Sequence, residues 1–150
     1  MGLIMDALGR RRVLFEQCRQ WYNEDPVRVE RLQSVISRGR VSLRLIEFFL
    51  GQIKTKNAVY KNSQGVSHLS GQIYDDYQRH LKAYGKGSFD LFCRHEKKTF
   101  ELGGKRVKTN ASQLEFFRWC ISSGVLDLIE SNLPRILLDK QKANRSEARQ

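Results

Sequence analysis

Two adjacent glycines, Gly103-Gly104, stand between Leu102 and Lys105, and no other feature constrains the fold as strongly. Both residues accept positive φ, which the two-residue turns of tight β-hairpins require. With that loop, Phe100 pairs with Val107 on one side of the ribbon and Glu101 with Arg106 on the other. Apolar and opposite-charge cross-strand pairs each contribute roughly 0.2–1 kcal/mol, so both faces favour one register. A continuous helix from Phe89 to Trp119 would have to absorb two glycines at about 1 kcal/mol each, and is rejected.

Helices are expected on both sides of this ribbon. Leu14, Cys18, Trp21 and Tyr22 recur at helical spacing within a helix from Met1 to Tyr22. Asp25-Pro26 supplies an N-cap and a first-turn proline for a second helix with Val29, Leu32 and Ile36 inward, closed by Gly39. Ser42 caps a third helix through Lys54, with Val41 and Ile46 placed as a hydrophobic staple. Its wide apolar face of Leu45, Ile46, Phe49, Leu50 and Ile53 marks it as the expected central buried helix.

Between Thr55 and Ser70 the pattern turns polar, with room for a short strand pair around Val59-Tyr60 and Val66 to Leu69. Ile73, Tyr77, Leu81 and Tyr84 then define one face of a helix ending at Gly85-Lys86-Gly87, and Ser88 caps a short turn or helix to Glu96. After the hairpin, Asn110 and Gln113 resemble a capping box for a helix with Leu114, Phe117, Cys120 and Ile121 inward, ended by Gly124. Val125 to Ile129 and Ile136 to Leu138 are the last apolar anchors. The expected fold is mainly α (α+β): a compact multi-helix domain with one β-hairpin around Gly103-Gly104. Residues 1–139 form a single helical domain with an N-terminal helical extension, and 140–150 a basic polar tail.

The chain's 150 residues carry a formal net charge of +11, the strongest global signal. That charge favours polyanionic partners, nucleic acid or the acidic faces of proteins. It is concentrated in two blocks, Arg28 to Lys61 and Arg79 to Lys108, and in the tail. The candidate partner-binding or polyanion-binding residues are Arg10, Arg11, Arg12, Arg38, Arg40, Arg44, Arg94, Lys97, Lys98, Lys105, Arg106 and Lys108.

Chemistry is not signalled. An enzyme needs a placed nucleophile, acid, base, metal cluster or phosphate loop. Cys18, Cys93 and Cys120 are odd in number and far apart, so no disulfide framework is indicated. Cys93 and His95 are close in sequence, yet a catalytic pair needs an orienting group as well. Asp75-Asp76 point to different azimuths of one helix. Gly103-Gly104-Lys105 lacks P-loop spacing. No apolar run reaches the ~20 residues of a bilayer span, so membrane insertion is not expected. Neither a cofactor nor a small-molecule substrate is implied.

Helix, helix, short helix and hairpin is also the order of a winged helix-turn-helix, with Ser42–Lys54, Gly71–Tyr84 and a recognition helix at Ser88–Glu96. Lys105, Arg106 and Lys108 would then be the wing tip on phosphate. The supposed recognition helix holds Phe89, Leu91 and Phe92, which suit a core better than a groove. A basic hairpin is also a common solvated edge device.

Val41-Ser42-Leu43-Arg44, Tyr77-x-x-x-Leu81-Lys82-x-Tyr84, Phe89-Asp90-x-Phe92-Cys93-Arg94 and Gln113-Leu114-x-Phe116-Phe117-Arg118-Trp119 together resemble a family of small basic proteins of nucleocytoplasmic large DNA viruses, the iridovirus and phycodnavirus group. The resemblance covers roughly Val41 to Ile129. It implies a viral origin and a part in the particle or its genome. The expectation is a non-enzymatic structural protein, a minor capsid or core-associated component that binds other virion or capsid proteins through basic patches. It would reside in the virion, and in the host cytoplasm during assembly. The alternative is a winged-helix-like DNA-binding protein of viral transcription or genome packaging.

Overall fold

The computed structural model describes residues 7–37, 39–84, 89 and 97–148, with the side chains of 7–11 and 148 outside that description. Within it the helices are α1 (Ala7–Glu24), α2 (Pro26–Ile36), α3 (Leu43–Thr55), α4 (Ser70–Tyr84), α5 (Ala111–Ser122), α6 (Val125–Ser131) and α7 (Leu133–Ala148). Two antiparallel hairpins interrupt them, β1 (Val59–Lys61) with β2 (Ser67–Leu69) and β3 (Lys98–Leu102) with β4 (Lys105–Thr109). The α-rich fold with a hairpin at Gly103-Gly104 is therefore as expected. The expected turn or helix from Ser88 to Glu96 and the stop at Gly85-Lys86-Gly87 lie outside the described residues, apart from Phe89.

The helix starts follow from local chemistry. Asp25 Oδ1 accepts from the Val27 amide at 3.0 Å, Ser42 Oγ from Leu45 at 3.1 Å and Asn110 Oδ1 from Gln113 at 3.0 Å. Each cap satisfies an amide left without an intrahelical acceptor, worth about 1 kcal/mol. Gly39 closes α2 by proximity. Its amide donates to the Ser34 carbonyl at 2.7 Å, and a Cβ there would stand 2.6 Å from that oxygen.

The hairpin takes the expected register, Phe100 opposite Val107 and Glu101 opposite Arg106, with φ of +55° and +79° at Gly103 and Gly104. Leu102 and Val107 are buried and Phe100 packs on Phe15 of α1, ring centroids 5.1 Å apart. The ribbon's tip is docked. Gly103 donates its amide to Asn23 Oδ1 at 2.8 Å, Lys105 lies 3.7 Å from Glu30, and Gln33 Nε2 reaches the Arg106 carbonyl at 3.4 Å. Thus α1 runs alongside the ribbon towards the tip, and α2 returns along β4 towards its base.

The centre of the core is α5 rather than α3. The apolar face of α3 is buried as expected, but α5 buries eight of its twelve residues, including Ser112, Gln113 and Glu115. Its neighbours are α1, α6 and the α4 aromatics around Tyr77. Periodicity understated it because its polar positions find partners inside: Gln113 Oε1 accepts from Thr109 Oγ1 at 2.6 Å, and Glu115 lies 3.9 Å from Arg118.

Helix α7 lies along β1. Asn132 Nδ2 donates to the Lys61 carbonyl at 2.9 Å, and Arg135 to that of Val59 at 2.8 Å. Asp139 accepts from Lys56 and from Gln52, both at 3.0 Å. Side-chain donors thus occupy the outer carbonyls of an edge strand that would otherwise invite another strand. The residues expected as a polar tail from Lys140 continue α7 as far as Ala148. Of the expected anchor Ile136 to Leu138, only Ile136 is buried; Leu137 and Leu138 are about half exposed.

Candidate functional site

Cations fall into two groups once carboxylate neighbours are counted. Arg31 meets Glu130 at 3.1 Å, Lys56 meets Asp139 at 3.0 Å, Arg79 meets Asp76 at 2.9 Å and Arg28 meets Glu24 at 3.5 Å. Arg28 also lies 4.2 Å from the centre of the Trp21 ring, and Arg135 4.2 Å from that of Tyr60. These groups hold helices together. None of them was singled out in the sequence as a candidate contact.

The second group has no carboxylate within ion-pair distance among the described residues. It contains Arg12, Arg40, Arg44, Lys97, Lys98, Arg106 and Lys108, all exposed and all expected as contacts, and also the exposed Lys54, Lys61, Lys82, Lys142 and Arg145 and the partly buried Arg19 and Lys140, which were not. Lys105 is the exception among the expected ribbon cations. The strand alternation turns it to the core side, where it meets Glu30. Arg10 and Arg11 lie on the first turns of α1, their side chains outside the description, and Arg38 and Arg94 lie outside the described residues.

The fold brings several of these together. Arg106 and Lys108 sit two residues apart on the outer face of β4, about 7 Å along the strand, and Lys97 and Lys98 begin β3 at the ribbon's base. Arg12 is one turn before Phe15, which packs on Phe100, so it too lies towards the base. Arg40 follows the end of α2, which is directed to the same end of the ribbon. Two exposed carboxylates, Glu16 on α1 and Glu101 opposite Arg106, share this region. Sequence reasoning missed Arg19, one turn after Phe15 on the same flank of α1; its helical spacing from Arg12 was the available signal.

Two depressions border other expected residues. Arg40 lines a cleft of about 190 Å³ with Arg31, Ser34 and Glu130. Arg44 lines an open groove of about 620 Å³ between α3 and α7, where Glu47, Lys140 and Glu147 mix both signs of charge. Aromatics with the chemistry to stack on bases are instead core: Phe116, Phe117 and Trp119 are all buried.

The two described thiols are withdrawn from solvent. Burial, and then the neighbouring Glu115 carboxylate, push the Cys18 thiol far above its ordinary range, and burial does the same to Cys120. A protonated, inaccessible thiol is a poor nucleophile. Asp76 is engaged by Trp119 Nε1 at 2.8 Å and by Arg79, while His80 Nδ1 lies 3.1 Å from the Asp76 carbonyl oxygen. Among the described residues no three His, Cys, Asp or Glu side chains are placed to hold a metal ion, and no helix is long and apolar enough to cross a membrane. Cys93 and His95 lie outside the described residues.

Fold and surface together define a small α-rich protein whose accessible chemistry is cationic. The chain belongs to a family of unknown function (DUF7197), whose model matches residues 10–149. It is also similar to the uncharacterized protein L507 of Acanthamoeba polyphaga mimivirus, 24% identical over 121 residues. That alignment covers 76% of this chain and 47% of the relative, so the chain spans about half the length of the curated relative it matches. No solved structure matches. The expected likeness to proteins of large DNA viruses is supported at that level, as similarity to an uncharacterised one.

Proposed function

We propose that this chain is a non-enzymatic structural protein of a nucleocytoplasmic large DNA virus, a minor capsid or core-associated component that works by adhesion. The observation that carries the reading is the division of its cations. One set is consumed by internal ion pairs, and the other stands exposed on a well-packed body with no carboxylate within ion-pair distance among the described residues. Such groups meet a larger anionic partner without first breaking an internal contact. Withdrawal of the Cys18 and Cys120 thiols supports an adhesive role over a catalytic one. The likeness to a mimivirus protein supports the viral setting. On this reading the protein resides in the virion, and in the host cytoplasm while particles assemble.

A winged-helix role in viral transcription or packaging is less well supported. Its wing would need a free tip, and this tip is bound to Asn23 and packed towards Val29. Quantitative proteomics of gradient-purified virions tests the main proposal. The chain is expected at a constant ratio to the major particle proteins; its absence from particles would remove the structural reading.

A further inference from the structure

The base and outer face of the β3–β4 ribbon gather cations that have no carboxylate within ion-pair distance among the described residues, and they outnumber the nearby Glu16 and Glu101. Lys97, Lys98, Arg106 and Lys108 are exposed there, and Arg12 lies on the flanking helix. We infer that the base of this ribbon and its outer face bind the phosphate backbone of nucleic acid, through Arg106 and Lys108 on the outer face and Lys97, Lys98 and Arg12 around the base, with no base recognition. The inference rests on the adhesive reading above and deepens it by naming the partner of one surface, which would put the protein on the genome side of the particle.

Three observations favour phosphate over an acidic protein. Protein interfaces need a buried apolar centre and are depleted in lysine. The exposed large apolar side chains among the described residues lie on α1, α2, α7 and the β1–β2 region, and none lies on β3 or β4. Phosphate contacts ask only for cations and other hydrogen-bond donors arranged along a line, which lysines supply as point charges and arginines as forked donors. The third observation is rigidity. Docking of the tip through Asn23, Glu30 and Gln33 fixes the ribbon against α1 and α2, so the cations are already arrayed before a partner arrives. Among the described residues, the aromatics singled out for base stacking, Phe116, Phe117 and Trp119, are buried, and β3 and β4 expose no large apolar side chain, which is why the expected mode is backbone binding without sequence preference.

The experiment uses the full chain, stripped of nucleic acid, and fluorescence anisotropy with a labelled mixed-sequence DNA duplex and a single strand of the same sequence, over a series of salt concentrations. Binding is expected to weaken linearly in log K against log salt, with a slope near −0.9 per phosphate neutralised on duplex and near −0.7 on single strand, which separates the two forms. Changing Lys97, Lys98, Arg106 and Lys108 together to Gln should weaken binding by at least about tenfold at low salt and flatten the duplex slope by about 3 to 4. The comparison variant removes equal charge elsewhere, with Lys54, Lys61, Lys142 and Arg145 changed to Gln, and should stay within about threefold of the parent, the residual effect of net charge. Circular dichroism confirms that both variants fold. Equal losses in the two variants, no binding to either nucleic acid, or tighter binding to polyglutamate than to DNA would each overturn the inference. Whether the chain is present in virions is decided separately, so either reading can fail alone.

Discussion

The indole nitrogen of Trp119 donates to Asp76 Oδ2 at 2.8 Å, fastening the enclosed helix α5 to α4. The same carboxylate receives Arg79 at 2.9 Å through its other oxygen, so one side chain closes an intrahelical pair and an interhelical bond. Trp119 is buried, with Tyr77, Phe89 and Phe116 against it. Replacing Trp119 by Phe keeps an aromatic ring but removes the donor. A loss of about 1–3 kcal/mol is expected, combining the charge-assisted bond and the smaller ring, read as a lower midpoint of urea unfolding.

Acid should act through Asp76 and Asp139. Burial opposes ionisation of Asp76, but hydrogen bonds from Trp119 and Arg79, with the charges of His80 and Arg79, outweigh it and lower its pKa. At Asp139 burial is likewise outweighed by bonds from Lys56 and Gln52 and by the charges of Lys56 and Arg135. A carboxyl with a depressed folded pKa binds protons more readily when unfolded. Its contribution is therefore complete above the ordinary carboxylate pKa of roughly 4 and is lost as pH falls through the lower folded value. The midpoint of unfolding should hold from pH 7 to about 5 with respect to these groups and drop below about 4. Asp139→Asn should be less stable at neutral pH and lose less on acidification; an unchanged acid limb would contradict the assignment.

The ribbon's turn offers a graded test. Gly103 and Gly104 both have positive φ, but a Cβ at Gly104 meets open space, whereas one at Gly103 would stand 3.0 Å from Val29 Cγ2. Gly104→Ala should cost about 1 kcal/mol, the backbone term alone. Gly103→Ala should cost more, because the docked tip must shift from Val29 and strain the bond to Asn23. Adding Val29→Ala to Gly103→Ala should cost less than the sum of the two single changes, a coupling that a double-mutant cycle on thermal unfolding would show.

Local rules were the most legible in the sequence. Asp25, Ser42 and Asn110 are caps because a short side-chain acceptor before an apolar stripe has one satisfying geometry. The ribbon's register followed from two glycines and two cross-strand pairs. Relations set by tertiary packing were harder to read. The enclosure of α5 was hidden because Gln113 and Glu115 look like surface residues until Thr109 and Arg118 are beside them. Lys105 looked like a free wing-tip cation, since nothing local announces that α2 brings Glu30 to it. Arg135 shows the reverse case: its partner, the Val59 carbonyl, belongs to the backbone and is visible only when α7 is laid along β1. For the candidate surface the residue types were legible, while their gathering depended on how α1 and α2 run beside the ribbon.

Thiol reactivity tests whether the body is as closed as the adhesive role requires. Cys18 is 1% exposed and Cys120 0%, and burial raises both thiols, so neither supplies thiolate at neutral pH. Cys18 belongs to α1 beside Glu115, and Cys120 to α5 itself. Alkylation of either must wait for an opening of the α1–α5 packing, and since Tyr22 spans that contact with a 2.7 Å bond to the Leu114 carbonyl, the opening exposes both. Iodoacetamide labelling followed by peptide mass spectrometry should find Cys18 and Cys120 protected in native buffer and modified together across the urea transition. Tyr22→Phe removes the bond but keeps the ring, and should speed labelling of both sites by about five- to tenfold, the effect of about 1 kcal/mol on the opening equilibrium. Rapid labelling of Cys18 alone in native buffer would mean that α1 opens independently of the core, and the rigid presentation of Arg12 beside the ribbon would fall with it.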